Sequence, residues 1–219
     1  MIIKSTQKNP FFSYQIFLYI KCIFILFQII MQKDILLFWV QWCGKWTQAN
    51  IFLQKNPNYK YFEAGNIFRA LSSNKNIFSD YVSSRIQAWL LVEDKLVFWL
   101  FDCGTNLLNE WEFMLLDWFP RNLDQKNYFV KQRNAKWRDY VCVNFDLSRE
   151  KAIERIQKRA IDQWRADDAK EEVINKRLET FYSETLPVIE AFESEWKVIT
   201  INADQSIEEI QNELISKLS

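Results

Sequence analysis

The sequence predicts an α/β fold in which a parallel sheet of five strands is covered by helices on both faces. Five short apolar runs occur along the 219 residues, and each reads as a short buried strand. Helix-compatible segments separate these runs, an alternation that is typical of parallel sheets. The predicted strands are Ile35–Phe38, Tyr59–Glu63, Phe113–Asp117, Tyr140–Phe145 and Val198–Ile201.

Helices are predicted between and after these strands. Their expected spans are Thr47–Gln54, Ser79–Gln87, Lys95–Leu100 and Ser206–Leu218, with a further long helix that begins after Ser148. Asp94 and Ser148 precede two of them and are of residue types that cap helix N-termini. The last helix carries one apolar stripe, so we expect it to pack on the sheet. That stripe consists of Ile207, Ile210, Leu214 and Leu218.

Composition excludes several classes of function. Lysine and arginine together number 28, as do aspartate and glutamate, so charge gives no hint of nucleic-acid binding. The absence of histidine removes the commonest general base and metal ligand. Four widely spaced cysteines without a C-x-x-C pair predict reduced thiols in a cytoplasmic protein, with no disulfide framework and no zinc site.

The first 30 residues differ in character from the rest. Phe11–Met31 is long and apolar enough to cross a bilayer, although Lys21 lies in its middle and no signal-peptide cleavage site follows. One interpretation is a membrane anchor. The favoured interpretation is a hydrophobic leader at residues 1–30 from upstream translation, with the domain at residues 31–219 beginning at Met31.

A phosphate-binding loop is predicted directly after the first strand, where Ile35–Gln48 reads ILLFWVQWCGKWTQ. Such a loop has the pattern G-x-x-x-x-G-K-[ST] between a strand and a helix. Here Trp39 stands where the first glycine belongs, and Trp46 displaces Thr47 by one place. Glycine at 39, 42 and 46 would turn the stretch into GVQGCGKGTQ. The alternative is a chance Gly-Lys pair after an ordinary strand.

Five later segments carry further motifs. They read EAGNIFR at Glu63–Arg69, AWLLV at Ala88–Val92, DWFPR at Asp117–Arg121, QWRADD at Gln163–Asp168 and RLETFY at Arg177–Tyr182. With the loop, they resemble the adenylate kinase or nucleoside monophosphate kinase family in its short-lid form. That family reads S-[TA]-G-D-x-[LF]-R, A-G-x-L-V, D-G-F-P-R, G-R-x-D-D and R-L-E-x-Y. Glu63 and Asn66 depart from the first pattern. The resemblance runs from about Lys33 to the C-terminus.

The resemblance implies a P-loop NTPase three-layer fold and reversible transfer of the ATP γ-phosphoryl group to AMP, giving two ADP. It implies Mg²⁺ as cofactor, no zinc, and a monomer whose partners are ATP and AMP. Acceptor-binding helices are expected at about 64–93, and a short lid at about 159–168. The alternatives are a UMP/CMP kinase, a non-catalytic P-loop-like protein, or a membrane-anchored P-loop protein if residues 1–30 are genuine.

The resemblance also assigns roles to residues. The expected catalytic residues are Lys45, Arg121, Arg159, Arg165 and Arg177. The expected ATP-binding residues are Trp42, Cys43, Gly44, Lys45, Trp46, Thr47 and Arg155. The expected AMP-binding residues are Ala64, Arg69, Leu90, Leu91, Val92, Trp118, Arg121, Gln125, Arg165 and Arg177. Thr47 and Asp117 are expected to hold Mg²⁺, partly through water. Gln125 favours adenine, because the relatives that act on UMP and CMP tend to have Asn there.

Tryptophan stands at most of the positions where these motifs have glycine in the family, although Gly44 and Gly65 are kept. The chain has ten Trp and three Gly. The Trp at family glycine positions are Trp39, Trp42, Trp46, Trp89, Trp118, Trp164 and Trp196, and glycine is plausible at Trp99, Trp111 and Trp137 as well. We interpret all ten as one glycine codon, UGA, translated here as tryptophan. The sequence as it stands predicts that Trp39, Trp42, Trp46 and Trp118 crowd the phosphate site and occupy positions of positive φ.

Overall fold

The computed structural model describes residues 33–39, 45–73, 75–87, 92–162 and 171–218. These described residues form one compact unit. The predicted leader at residues 1–30 lies outside the described residues.

The structure contains a five-stranded parallel sheet with helices around it, as predicted. Its strands are β1 (Asp34–Trp39), β2 (Tyr59–Glu63), β3 (Phe113–Asp117), β4 (Tyr140–Asp146) and β5 (Val198–Asn202). They lie in the order β2-β3-β1-β4-β5, and each neighbouring pair is parallel. Every residue of the central strand β1 is buried, which explains its unbroken apolar run.

Described helices connect each strand to the next, and a last one follows β5. They are α1 (Lys45–Lys55), α2 (Ala64–Ser72), α3 (Ser79–Gln87), α4 (Asp94–Asn106), α5 (Leu123–Ala135), α6 (Arg149–Asp162), α7 (Glu171–Thr180), α8 (Leu186–Ser194) and α9 (Ile207–Leu218). A π-helical turn at Phe181–Thr185 joins α7 to α8. Because all five strands are parallel, their carboxyl ends meet at one edge of the sheet, where open α/β folds bind ligands.

Of the two predicted helix caps, Ser148 is confirmed and Asp94 is wrong, and Ser206 is a further cap that was not predicted. The Ser148 hydroxyl accepts a hydrogen bond from the Lys151 amide at 3.3 Å, and Ser206 exchanges two with Glu209 at the start of α9. Asp94 does not cap α4, because it is the first helical residue and the preceding Glu93 makes no side-chain cap bond.

Two further expectations about helices need correction. Helix α4 continues to Asn106 instead of ending at Leu100, since its buried face extends through Phe101 and Thr105. In α9, Ile207 is 55% exposed and is not part of the buried stripe, which Ile210 and Leu214 do form.

An ionic network centred on the fully buried Asp34 and Arg133 lies at the amino end of β1. The Oδ2 atom of Asp34 accepts from Arg133 Nη1 at 2.6 Å and from Arg138 Nε at 3.0 Å. Its Oδ1 atom accepts from Arg138 Nη2 and from the backbone amide of Met114, both at 2.7 Å. Arg133 also donates to the Thr105 hydroxyl at 2.6 Å. The network therefore joins β1 to β3, α4 and α5.

Aromatic rings close this network from water. The guanidinium of Arg133 lies 4.7 Å from the ring centre of Phe101 and 5.5 Å from that of Phe129. Burial lowers the pKa of Arg133, while the Asp34 carboxylate opposes that effect. The charged guanidinium of Arg133 can be buried because it is paired with the Asp34 carboxylate and hydrogen-bonded to Thr105.

Two helices end in the same turn, and each turn contains a tryptophan. After α5, the Arg138 amide donates to the Arg133 carbonyl at 3.0 Å and the Trp137 amide donates to the Asn134 carbonyl at 3.2 Å. These two bonds define a Schellman motif, whose central residue has a positive φ and is usually glycine. Trp137 has φ 54° there, and its side chain is 96% exposed.

The end of α8 repeats this geometry. The Lys197 amide donates to the Phe192 carbonyl at 3.1 Å, and the Trp196 amide donates to the Glu193 carbonyl at 3.0 Å. Trp196 has φ 57° and is 95% exposed. Within the described residues, the non-glycine positions with positive φ are Trp118, Trp137 and Trp196. These backbone conformations favour glycine at three of the ten Trp positions, and the codon interpretation stays a prediction.

We expect Trp137→Gly and Trp196→Gly to raise the free energy of unfolding by about 1 kcal/mol each. The left-handed backbone costs a bulky residue about 1–2 kcal/mol, and the greater freedom of glycine in the unfolded chain offsets part of that gain. Urea denaturation followed by circular dichroism measures the change.

Trp99→Gly is the matched control, since Trp99 is also exposed but lies inside helix α4. This change should lower the free energy of unfolding by about 0.5–1 kcal/mol, because glycine is a poor residue in a helix interior. If all three substitutions destabilise the protein alike, the backbone at positions 137 and 196 does not favour glycine.

Candidate active site

The predicted phosphate loop joins the central strand to helix α1. Trp42, Cys43 and Gly44 lie outside the described residues, and the structure describes the backbone of Lys45 as the first residue of α1. Thr47 is half-buried in the first turn of this helix. A helix N-terminus carries a partial positive charge and free amides, so it is suited to bind phosphate.

Asp117 is the last residue of the neighbouring strand β3 and lies beside Leu37 of β1 in the ladder. It is fully buried, and its Oδ2 atom accepts a hydrogen bond from the Tyr61 hydroxyl at 2.6 Å. Burial, followed by the charges of Asp117 and Glu63, raises the pKa of Tyr61 well above its usual value. Tyr61 therefore stays neutral and acts as a donor to the Asp117 carboxylate.

Arg69 meets an acidic partner at the end of strand β2. Its Nη2 atom lies 3.0 Å from Oε1 of Glu63, the residue that precedes helix α2. Asn66, in the first turn of α2, is hydrogen-bonded both to Glu63 and to Arg69. Ala64 is buried at the start of the same helix. Glu63 and Asn66, the two residues that depart from the family pattern, thus contact each other and Arg69, the residue predicted to bind the acceptor phosphate.

The loop after β3 brings Arg121 to the same region. The bond between Phe119 and Pro120 is cis, and Trp118 has φ 67°. The guanidinium carbon of Arg121 lies 4.1 Å from the centre of the Trp118 ring system. A Cβ atom on Gly65 would lie 3.3 Å from Arg69 Nη1 and 3.7 Å from Trp118 Cε3. The indole of Trp118 therefore contacts Arg121 directly and lies beside Gly65, the glycine that also faces the Arg69 guanidinium.

Gln125 is held by an internal network. Its side chain is 2% exposed, its Oε1 accepts from the Arg121 amide at 2.8 Å, and its Nε2 donates to Asp94 Oδ1 at 2.7 Å. Asn122 caps α5 by accepting from the Gln125 amide at 2.8 Å, and Thr185 donates to the Arg121 carbonyl at 3.2 Å. These bonds fix the orientation of the Gln125 amide, because Asp94 can only accept and a backbone amide can only donate.

The structure corrects the expectations for two tryptophans. Trp39 is a buried residue of strand β1, and its ring is stacked on Phe145 with centroids 3.6 Å apart. It lines a small cavity of about 10 Å³ together with Gln48 and Leu214, so it fills core space and does not crowd the phosphate site. Trp46 lies in the regular helix α1 and is 66% exposed. Neither residue adopts a positive φ, in contrast to Trp118.

The remaining predicted residues belong to the lid or its surroundings. Arg155 is partly buried on α6, and its Nη2 atom lies 3.6 Å from Asp204. The backbones of Arg159 and Arg177 lie on helices α6 and α7. Val92 is half-buried just before α4. The predicted residues Leu90, Leu91 and Arg165 lie outside the described residues, as does most of the expected lid.

The described residues contain no group of three acidic, cysteine or histidine side chains that could hold a metal ion. Asp117 with the Thr47 hydroxyl offers one carboxylate and one neutral oxygen. Magnesium in phosphate-transfer sites is commonly held by one or two carboxylates, water and substrate phosphates instead of an all-protein cage. This donor set therefore fits Mg²⁺ that arrives with a nucleotide.

Sequence reasoning missed the residues that support the site. Tyr61 and Asp94 contact Asp117 and Gln125 across 56 and 31 positions of the chain. No spacing in the sequence signals such pairs, although the alternation of β2 places Tyr61 and Glu63 on one face of the strand.

Comparison with known proteins agrees with this geometry. The family model described as adenylate kinase matches residues 41–197. The chain belongs to the adenylate kinase family. It is 32% identical to adenylate kinase 1 of Nostoc sp. over 80% of the chain and 92% of that protein. It is 33% identical to a probable UMP-CMP kinase 1 of Arabidopsis thaliana, over 76% of the chain and 78% of that protein. An adenylate kinase of Leptospira biflexa is 31% identical over 80% of the chain and 94% of that protein.

Membership makes the chain a nucleoside monophosphate kinase by family. The adenylate kinase family binds ATP and a nucleoside monophosphate and generally uses Mg²⁺. In the part of the chain that the structure describes, none of the helices is long and apolar enough to cross a membrane.

Proposed function

We propose that this protein transfers the ATP γ-phosphoryl group reversibly to AMP, giving two ADP, with Mg²⁺ as cofactor. The observation that carries the proposal is that Arg121 contacts Trp118, the residue after the buried Asp117, and is hydrogen-bonded through its backbone to Gln125, while Gly65 faces both Trp118 and the Arg69 guanidinium. All of them lie at the carboxyl edge of the sheet, where α1 also begins.

On the donor side, Lys45 holds the β- and γ-phosphates of ATP at the N-terminus of α1, and Arg155 faces the adenine. Phosphate binds there because the helix dipole and free amides add to the lysine charge. Thr47 and Asp117 hold Mg²⁺, partly through water, and the ion neutralises phosphate charge when it is bound. Tyr61 keeps the Asp117 carboxylate oriented through its 2.6 Å hydrogen bond.

On the acceptor side, Arg69 and Arg121 clamp the phosphate of AMP. Guanidinium groups suit this task because they bind phosphate oxygens in pairs. Asp94 and the Arg121 backbone fix the orientation of the Gln125 amide and use one of its N–H groups and one oxygen lone pair. Gln125 hydrogen-bonds the adenine through its second N–H group and its second lone pair. Ala64, Leu90, Leu91 and Val92 lie against the acceptor nucleotide.

The lid supplies the remaining positive charge. Arg159, Arg165 and Arg177 close over the transferring group and stabilise the charge that spreads over its equatorial oxygens. Closure also excludes water and so limits hydrolysis. No general base is needed, because the acceptor phosphate oxygen is already anionic, and a chain without histidine can therefore perform this reaction.

A second acceptor class has specific support. The relative from Arabidopsis thaliana is named a probable UMP-CMP kinase, and Asn66 departs from the family pattern near the acceptor. We favour AMP because of Gln125. The cytoplasmic, monomeric state expected from the sequence stays a prediction.

With glycine at all ten tryptophan positions, we expect a coupled assay to measure ADP formation from ATP and AMP. AMP should be preferred over UMP and CMP by at least about tenfold in kcat/KM, because losing one base-reading pair of hydrogen bonds costs about 1.4 kcal/mol or more. Equal or greater activity with UMP would contradict the assignment of the acceptor.

Without those glycines, we expect the protein to bind ATP very weakly and to show no kinase activity. The predicted loop needs close approach of its backbone to phosphate, which glycine permits and tryptophan obstructs. Isothermal titration with ATP compares the printed chain with the ten-glycine version. Comparable affinity would show that the indoles fit the loop. The mass of the loop peptide from the native source is an independent check of the codon interpretation.

In the ten-glycine version, Arg121→Lys should lower kcat about 100-fold or more with the fold intact, because lysine keeps the charge but loses the paired hydrogen bonds. Arg149→Lys is the control, since Arg149 is exposed at the start of α6. Rates at the level of the unmodified version would mean that Arg121 is only a surface charge.

A further inference from the structure

Glu63 is a buried carboxylate that faces the proposed acceptor site. It is the last residue of β2 and is 9% exposed. Its Oε1 atom pairs with Arg69, and its Oε2 atom accepts from Asn66 and lies 3.2 Å from the Tyr61 hydroxyl. Both carboxylate oxygens are therefore held in place, and the side chain cannot turn away without losing these partners.

The carboxylate of Glu63 does not cap a helix. Glu63 occupies the N-cap position of α2, yet its side chain makes no capping hydrogen bond. Serine, threonine, asparagine or aspartate at such a position commonly accepts from a backbone amide of the first turn. The side chain of Glu63 instead extends to Arg69, two turns along the same helix. Its contacts thus concern the guanidinium and not the end of the helix.

Arg69 is the exposed member of this ion pair. Its side chain is 52% exposed, whereas that of Glu63 is 9% exposed. The Nη2 atom of Arg69 lies against Glu63 and Asn66, while Nη1 lies on the side of Gly65. An anion that approaches from solvent therefore finds one side of the guanidinium already in contact with a carboxylate.

We propose that Glu63 is a positioning residue that occupies Arg69 before the acceptor binds and so weakens the affinity for a nucleoside monophosphate. This inference rests on the proposed function, in which Arg69 binds the acceptor phosphate. The acceptor phosphate must share Arg69 with Glu63. This competition weakens the affinity for the nucleoside monophosphate and leaves the affinity for ATP unchanged.

Electrostatics supports the direction of the effect. Asp117 is buried on the neighbouring strand and shares the Tyr61 hydroxyl with Glu63. A phosphate at Arg69 brings further negative charge towards both carboxylates. A phosphate and a nearby carboxylate repel each other even when solvent partly screens their charges. Neutralising Glu63 therefore removes this repulsion and releases the Arg69 guanidinium.

The test is Glu63→Gln, which keeps the shape of the side chain and removes its charge. Isothermal titration measures the Kd for AMP, in the printed chain and in the version with glycine at all ten tryptophan positions. We expect the substitution to tighten AMP binding about threefold to tenfold, the range of a partly exposed ion pair with some burial. The Kd for ATP should change by less than about twofold, because the donor site does not share Arg69.

Three further variants separate this role from a purely structural one. Glu112→Gln is the matched control, since Glu112 pairs with Lys60 and its side chain is 12% exposed. It should leave AMP binding unchanged. Glu63→Asp retains the charge and should stay close to the parent in AMP affinity. In the Arg69→Ala background, Glu63→Gln should give a smaller gain, because no guanidinium remains to be released.

The outcomes distinguish the two proposals. If the ten-glycine parent does not bind AMP, the proposed function fails and this inference fails with it. If the parent binds AMP and Glu63→Gln leaves the affinity unchanged or weakens it, the inference alone is wrong. If Glu63→Gln and Glu112→Gln both tighten AMP binding to the same extent, the inference is also wrong, because the effect would then come from the change in the net charge of the protein.

Discussion

The buried carboxylate of Asp34 is the contact on which the arrangement of the sheet and the site depends. It accepts four hydrogen bonds and ties the central strand β1 to β3 and to the guanidinium of Arg133 on α5. Removing one partner of such a pair costs about 3–5 kcal/mol, because the other charge stays buried without compensation. Gln125 lies on α5 as well, about 12 Å along the helix from Arg133 at a rise of 1.5 Å per residue. The ion pair between Asp34 and Arg133 at the amino end of the strands therefore fixes the position of α5, the helix that carries Gln125 at the carboxyl end.

Much of the fold could be predicted from the sequence, because a strand buried on both faces must be apolar and short. The bounds of β2 and β3 were predicted correctly, and those of β1 differ by one residue at each end. The added residues are informative. Asp34 extends β1 because its charge is satisfied by arginines 99 and 104 positions away, and Trp39 extends it because its ring stacks on Phe145 of the adjacent strand. Neither partner is visible in a local pattern.

The candidate site was predictable where a motif fixes a residue at the end of a strand. Asp117, Arg69 and Arg121 do gather at one edge, as the parallel topology requires. The partners that hold them could not be predicted, since Tyr61 and Asp94 act through contacts across strands and loops. The same limit applies to Glu63. The sequence shows that it departs from the family pattern, and three-dimensional contacts were needed to show that it reaches Arg69.

The helix ends at Trp137 and Trp196 have a backbone of positive φ, a conformation that glycine adopts without strain. Both turns point the substituted side chain into solvent, so a whole indole can be added there without touching the core. Both turns lie at the surface, whereas the strands of the sheet bury mainly large apolar side chains. A systematic misreading of glycine codons would therefore leave most of the packing that specifies the fold unchanged, with Trp39 as an indole added to the core, and would damage the places where the backbone must meet a substrate. Such a chain would keep its architecture and lose its chemistry, which makes structural similarity a poor guide to whether a gene was decoded in its own genetic code.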